Sequence, residues 1–149
     1  MSSVYLQAIL QAGWGVSDIL EPTINVNNSR LDSQIVENQG HKILVLSGVI
    51  DIYTALQLKQ TYIAVLDGTE QHLIVDIHNV YYMDSTGLGI LISVAKRLSP
   101  KGGTLHLVGC NSKIKYMLLV TNVSWFVPLH QSVDEAIEAI SEMNGATSQ

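Results

Sequence analysis

One stretch of this chain concentrates residues able to handle charge: Met83-Asp84-Ser85-Thr86-Gly87-Leu88-Gly89. It follows the apolar run Leu73-Ile74-Val75-Asp76-Ile77 and opens a segment with apolar residues at helical spacing. In open α/β sheets, functional sites gather beyond the carboxyl ends of strands, and this loop falls there. The first N–H groups of a helix lack partners, and the helix dipole favours anions beside them. Ser85 therefore offers a hydroxyl that can take a phosphate, with N–H groups around Thr86 and Gly87 to hold it. Gly87 would leave that hydroxyl accessible to another protein. The plainer alternative is an ordinary helix cap, because Asp, Ser and Thr all serve at that position. Spacing alone leaves both open.

A second polar point is Gly48-Val49-Ile50-Asp51-Ile52-Tyr53-Thr54. Asp51 or Thr54 can cap the helix that follows, or Asp51 can share an acidic surface with Asp84. Catalysis has little support. Ser85 has no Gly-x-Ser-x-Gly elbow around it, and no histidine is placed by sequence to activate it. Gly87-Leu88-Gly89 lacks the third glycine of a dinucleotide loop, and the Gly-Lys-Ser/Thr of a phosphate loop is absent. We therefore expect no enzyme, no cofactor and no metal. The five histidines form no HExxH or similar pair; His72, His78 and His106 lie on or beside strands and read as structural. Lys96, Arg97, Lys113 and Lys115 read as solvated helix faces.

The elements that must position these residues alternate. Gln34–Glu37 and Lys42–Ser47 read as two strands around a turn at Asn38-Gln39-Gly40. Thr54–Leu66 is predicted helical, with Ala55, Leu58, Tyr62, Val65 and Leu66 on one face and Gly68 as its left-handed cap. Leu73–Ile77 is a buried strand. Thr86–Leu98 is a helix with Leu88, Ile92 and Ala95 inward and Leu91 at the margin of that face, stopped at Ser99-Pro100. Thr104–Val108 is a strand and Ser112–Val120 a short helix capped by Asn111 or Ser112. Trp125–Leu129 reads as a strand, and Val133–Met143 as a final helix with Val133, Ala136, Ile137 and Ile140 inward. This order predicts an α/β fold: a mixed central sheet of about five strands with about four helices, mostly parallel, with an antiparallel edge from the opening hairpin.

Bulk properties narrow the class. The 149 residues are 47% apolar, enough for one cored domain. Residues 1–32 read as a leader, flexible or carrying a short helix at Val4–Gln11; 33–143 as the domain; 144–149 as a flexible tail. The net charge is −5 with scattered cations, which argues against nucleic acid. Cys110 is the only cysteine, so no internal disulfide forms, and a reducing cytoplasm is the simplest setting. Val4–Leu20 has no basic residue before it and is broken by Gln7, Gln11 and Asp18, so neither a signal peptide nor a membrane span is expected.

Taken together, Ser47-Gly48-Val49-Ile50-Asp51-Ile52-Tyr53-Thr54-Ala55 and, about thirty residues on, Tyr82-Met83-Asp84-Ser85-Thr86-Gly87-Leu88-Gly89 resemble a STAS domain of the anti-sigma factor antagonist type. Lys101-Gly102-Gly103-Thr104-Leu105 fits as well. The resemblance spans roughly residues 33–143. It implies binding to an anti-sigma factor that is a serine/threonine kinase of the histidine-kinase-like ATPase fold. It implies phosphorylation of the serine after the aspartate, here Ser85, and reversal by a PP2C-type phosphatase. Asp51 matches a position on the same partner-facing surface, with Asp84, Thr86, Gly87 and Leu88 beside the acceptor. Where the family often has Glu after the first glycine, this chain has Val49. A second expectation is a STAS scaffold or sensor module in a multiprotein signalling complex, with Ser85 only capping.

Overall fold

The computed structural model describes residues 30–66 and 71–147. The expectations for a leader helix at Val4–Gln11 and for a cap at Gly68 lie outside the described residues. The strands are β1 (Leu31–Asn38), β2 (His41–Ile50), β3 (Leu73–Met83), β4 (Leu105–Val108) and β5 (Leu129–His130). The α-helices are α1 (Ala55–Val65), α2 (Ser85–Leu98), α3 (Ser112–Val120) and α4 (Val133–Thr147). The five strands lie side by side in chain order. β1 pairs antiparallel with β2, and all later neighbours are parallel. This is the mixed sheet with an antiparallel edge that the alternating pattern predicts.

The two faces are covered unequally. Leu44, Leu46, Val75, Ile77 and Leu107 meet Leu58 and Tyr62 of α1, Leu91 and Val94 of α2, and Ile114 and Leu118 of α3 in one large core. Ile43, Ile74 and Val108 meet Ala136, Ile137 and Ile140 of α4 in a smaller one. The inward residues predicted for α1 are all buried. On α2, Leu88, Leu91 and Ala95 are buried, Val94 and Leu98 join them in the core, and Ile92 is only half-buried against it.

Several element bounds differ from the sequence reading, each for a physical reason. β1 begins at Leu31 rather than Gln34, because Leu31 itself pairs with Gly48 and is buried. β3 runs six residues past Ile77, to Met83. Pairing with β2 continues there through two irregularities, between Val45 and Ser47 and between Gly48 and Val49, which shift the face each side chain takes. The alternation used to end the strand at Ile77 is lost at such shifts. The expected strand at Trp125–Leu129 is a correction. Val123–Trp125 is a 3-10 turn, and only Leu129–His130 pairs. Asn122 enters it with a left-handed backbone, the Val127 N–H bonds back to the Val123 carbonyl, and those two valines turn inward while Trp125 stays out. α4 continues to Thr147, four residues past Met143. Among the described residues no helix is long and apolar enough to cross a membrane.

Candidate functional site

Two strand-to-helix corners sit next to each other at one end of the sheet. Ile50, the last residue of β2, pairs with Met83, the last of β3, and the Asp84 N–H donates to the Ile50 carbonyl at 3.1 Å. The residues after these ends, Asp51 and Asp84, therefore come together although they are thirty-three positions apart.

At the first corner the polar groups turn inward. Asp51 Oδ1 accepts from the N–H groups of Tyr53 and Thr54 at 2.9 and 3.0 Å. The Asp51 N–H donates to Thr54 Oγ1, and that hydroxyl donates to the Val49 carbonyl at 2.8 Å. Both side chains are buried, Asp51 at 8% exposure. The corner is approached through Gly48, whose φ of +118° belongs to glycine, and an added Cβ would stand 2.1 Å from the Arg30 carbonyl oxygen. Val49 is buried beside it.

At the second corner one group stays outside. Asp84 is the N-cap of α2, its Oδ1 accepting from Thr86 and Gly87 N–H at 2.9 and 3.2 Å. Helix α2 thus starts at Ser85, one residue earlier than expected. Gly87 is buried, and a Cβ there would meet Ile50 Cγ2 at 2.5 Å and Met83 Cγ at 2.8 Å. Its small size lets the helix start press onto the strand ends, a packing role in addition to any effect on access to Ser85. Leu88 is buried in the core, and Asp84 and Thr86 are half-buried. Ser85 alone of the group is exposed.

This geometry corrects one expectation. The N–H groups of Thr86 and Gly87, which would hold a phosphate on Ser85, are already taken by the Asp84 carboxylate. The local anion site carries its own anion. Around the same sheet end, Ile52, Tyr53, Tyr81 and Tyr82 are exposed, Tyr81 at 67%. Sequence reasoning assigned these four no role; the signal for Tyr81 and Tyr82 was an aromatic pair just ahead of Met83 and the Asp84 cap, and for Ile52 and Tyr53 two apolar residues directly after Asp51. The Asn111 amide, the cap of α3, donates to the Val80 and Tyr81 carbonyls and fixes that edge.

The histidines gather elsewhere. Asp76 follows Ile74 at two-residue spacing and so shares its face, under the α4 side, and His78 reaches back to it across the irregular stretch. His78 Nδ1 lies 2.6 Å from Asp76 Oδ1. His106 is fully buried, stacks on His130 with 2.9 Å between Nδ1 and Nε2, and meets His72 edge-on. Burial, and then the neighbouring histidines, push His106 down to about 4; burial also lowers His72 and His130. Burial pushes the Cys110 thiol up to about 11, so it is a poor nucleophile. Among the described residues no hydrogen bond joins Ser85 to a histidine, and no three His, Cys, Asp or Glu side chains form a metal-holding group.

Comparison with known proteins gives one consistent picture. A family model described as the STAS domain matches residues 32–136. An anti-sigma-B factor antagonist of Staphylococcus aureus is 25% identical over 89 residues, 60% of this chain and 82% of that protein. An anti-sigma F factor antagonist of Paenibacillus polymyxa is 23% identical over 114 residues, 76% and 95% respectively. The crystal structure of an anti-sigma factor antagonist from Mycobacterium paratuberculosis superposes with a TM-score of 0.69 at 25% identity, covering 75% of this chain and 95% of that one.

Proposed function

This chain belongs to the STAS domain family, and from that premise we propose that it is an anti-sigma factor antagonist switched by phosphorylation at Ser85. The unphosphorylated form binds an anti-sigma factor serine/threonine kinase of the histidine-kinase-like ATPase fold and so releases a sigma factor. Phosphorylation ends the binding, and a PP2C-type phosphatase restores it. The relatives named as antagonists of anti-sigma factors support the partner class.

The observation that carries the switch is the isolation of Ser85. Its neighbours are spent on the fold: Asp84 caps α2, Gly87 and Leu88 are buried, and Asp51 is turned into its own corner. Ser85 is left exposed at the helix start. Asp51, Gly87 and Leu88 then serve the partner surface by shaping it, while Asp84, Ser85 and Thr86 supply what a partner touches. A phosphate adds about −1.5 to −2 charges. The two nearest N–H groups already serve Asp84, so the new charge adds to an existing one rather than being absorbed. A partner docking closely on Ser85 would have to strip water from that patch. Losing about 1.4 kcal/mol weakens binding tenfold.

The test is binding of the partner kinase to Ser85→Ala and Ser85→Asp, with intact mass after incubation with kinase and ATP. We expect Ser85→Ala to bind like the parent, Ser85→Asp at least tenfold more weakly, and a phosphate mapped to Ser85. Equal binding by the two variants would sink the switch. One observation favours the second reading, a STAS scaffold or sensor module without phosphorylation: the anion site at α2 is already filled by Asp84. It predicts no mass gain and partner binding insensitive to Ser85→Asp.

A further inference from the structure

Five large exposed apolar side chains fall close together in the chain: Tyr116, Leu119 and Val120 of α3, and Trp125 and Phe126 of the turn after it. Trp125 is 83% exposed, so its ring gains almost nothing from this domain. Helix α3 buries Ile114 and Leu118 and turns its other side to water. Steps of three and four residues set Tyr116 beside both Leu119 and Val120 on that outer side. The same steps set Lys113 beside Tyr116 and Lys115 beside Leu119, so a lysine stands at each margin of the apolar strip. Both lysines are exposed, and the ion pairs seen among the described residues involve neither. The turn is folded onto the end of the helix. The Asn122 N–H donates to the Leu119 carbonyl and the Trp125 N–H to the Asn122 carbonyl, both at 3.2 Å. Val123 and Val127 are buried and anchor the turn, which leaves Trp125 and Phe126 projecting.

The charge here runs against that of the chain. Of its 13 acids and 8 Lys and Arg, no acid lies between Ser85 and Val133, whereas Lys96, Arg97, Lys101, Lys113 and Lys115 all do. An apolar strip with cationic margins calls for an anionic cover. A second copy docked through the same strip would set lysines against lysines with no acid to answer them. A protein partner would need a pocket cut for a ring as proud as Trp125. An anionic bilayer meets both needs. Its phosphates answer the lysines, and its fluid interface takes Trp and Tyr rings without a preformed pocket. Lysine stems can lie along the strip while their ammonium groups reach the headgroups.

We propose that the outer side of α3 and the turn after it rest on an anionic lipid surface, with Tyr116, Leu119, Val120, Trp125 and Phe126 entering the interface and Lys113 and Lys115 on the headgroup phosphates. The contact lies on the bilayer rather than across it. Two cations and one short helix make it reversible and sensitive to salt. It does not rest on the phosphorylation switch.

The experiment uses the full chain with Trp14→Phe, which leaves Trp125 as the only tryptophan. Its emission and its co-sedimentation are followed with vesicles of phosphatidylglycerol and, separately, of phosphatidylcholine. We expect a blue shift and sedimentation with phosphatidylglycerol at low salt, and neither with phosphatidylcholine. Lys113→Gln with Lys115→Gln should weaken binding about thirtyfold. In the parent chain, Phe126→Ser with Trp125→Ser should abolish sedimentation. Arg30→Gln with Lys59→Gln, the same loss of charge elsewhere, should bind like the parent. Amide spectra of each variant show whether the fold is kept. Absence of binding to phosphatidylglycerol, equal binding to phosphatidylcholine, or equal weakening by Arg30→Gln with Lys59→Gln overturns the proposal. So does a blue shift without vesicles that grows with protein concentration, which would make a second copy the occupant. A shift with polyglutamate but not with vesicles would likewise overturn it in favour of an acidic protein. None of these readouts involves a kinase or Ser85, so their failure is distinct from failure of the phosphorylation switch.

Discussion

Asp51 follows β2 and Asp84 follows β3, side by side at one end of the sheet, and each carboxylate accepts two backbone N–H groups. The first belongs to a closed corner: Asp51 and Thr54 bond each other's backbone and are buried, so its polar side chains serve the fold. The second belongs to an open one: Asp84 secures the helix start, and the residue it leaves unused, Ser85, faces water. The difference shows how one capping chemistry can bury one corner and leave a side chain free at the other. Under the switch proposed for Ser85, a phosphate there would leave the fold intact, because Asp84 rather than Ser85 holds the helix start.

That contrast can be broken most severely at the entry to the closed corner. Gly48→Ala puts a Cβ against the Arg30 carbonyl at a backbone angle only glycine favours. It should cost about 3 kcal/mol in urea unfolding. Acid probes a group away from both corners. His106 is held neutral in the fold, with its pKa depressed from 6.5 to about 4. The stability of the neutral form is thus fully present above about pH 6.5 and is lost as pH falls toward 4. The expected loss is roughly 2 kcal/mol by about pH 5, and His106→Gln should remove most of it. An unchanged pH profile in that variant would move the acid sensitivity to another group.

The two corners can then be compared directly. Asp51→Ala leaves buried N–H groups without acceptors and should cost about 2 kcal/mol. Asp84→Ala removes a half-buried cap and should cost about 1 kcal/mol. If the order were reversed, the division into closed and open corners would be wrong. Ser85→Asp should be the smallest change, within about 0.5 kcal/mol in stability, although it is the variant expected to alter partner binding most.

Much of the fold was legible because it is written locally. The apolar runs at Ile43–Leu46, Leu73–Ile77 and Leu105–Val108 all became central strand. Asp84 as a cap was open to reading from Asp-Ser-Thr before an apolar helix, and Asn111 likewise. The segment at Trp125–Leu129 was misread because two aromatics and a valine suit a strand by propensity, whereas a left-handed Asn122 and the inward pull on Val123 and Val127 make a turn. The length of β3 was missed because the irregular pairing with β2 hides its alternation.

The sequence by itself determined the elements, their order and a helix that starts at a polar Asp-Ser-Thr, since each depends on neighbours within a few residues. Tertiary structure alone decided which polar groups stay available. Parallel pairing of β2 with β3 put Asp51 beside Asp84 and buried it, and close packing of Gly87 on Ile50 and Met83 set the helix start so that Ser85 faces outward. The same register drew His106 of β4 and His130 of β5 together with His72, just ahead of β3, under the α4 side. Burial and register join residues far apart in the chain, and no local spacing records them.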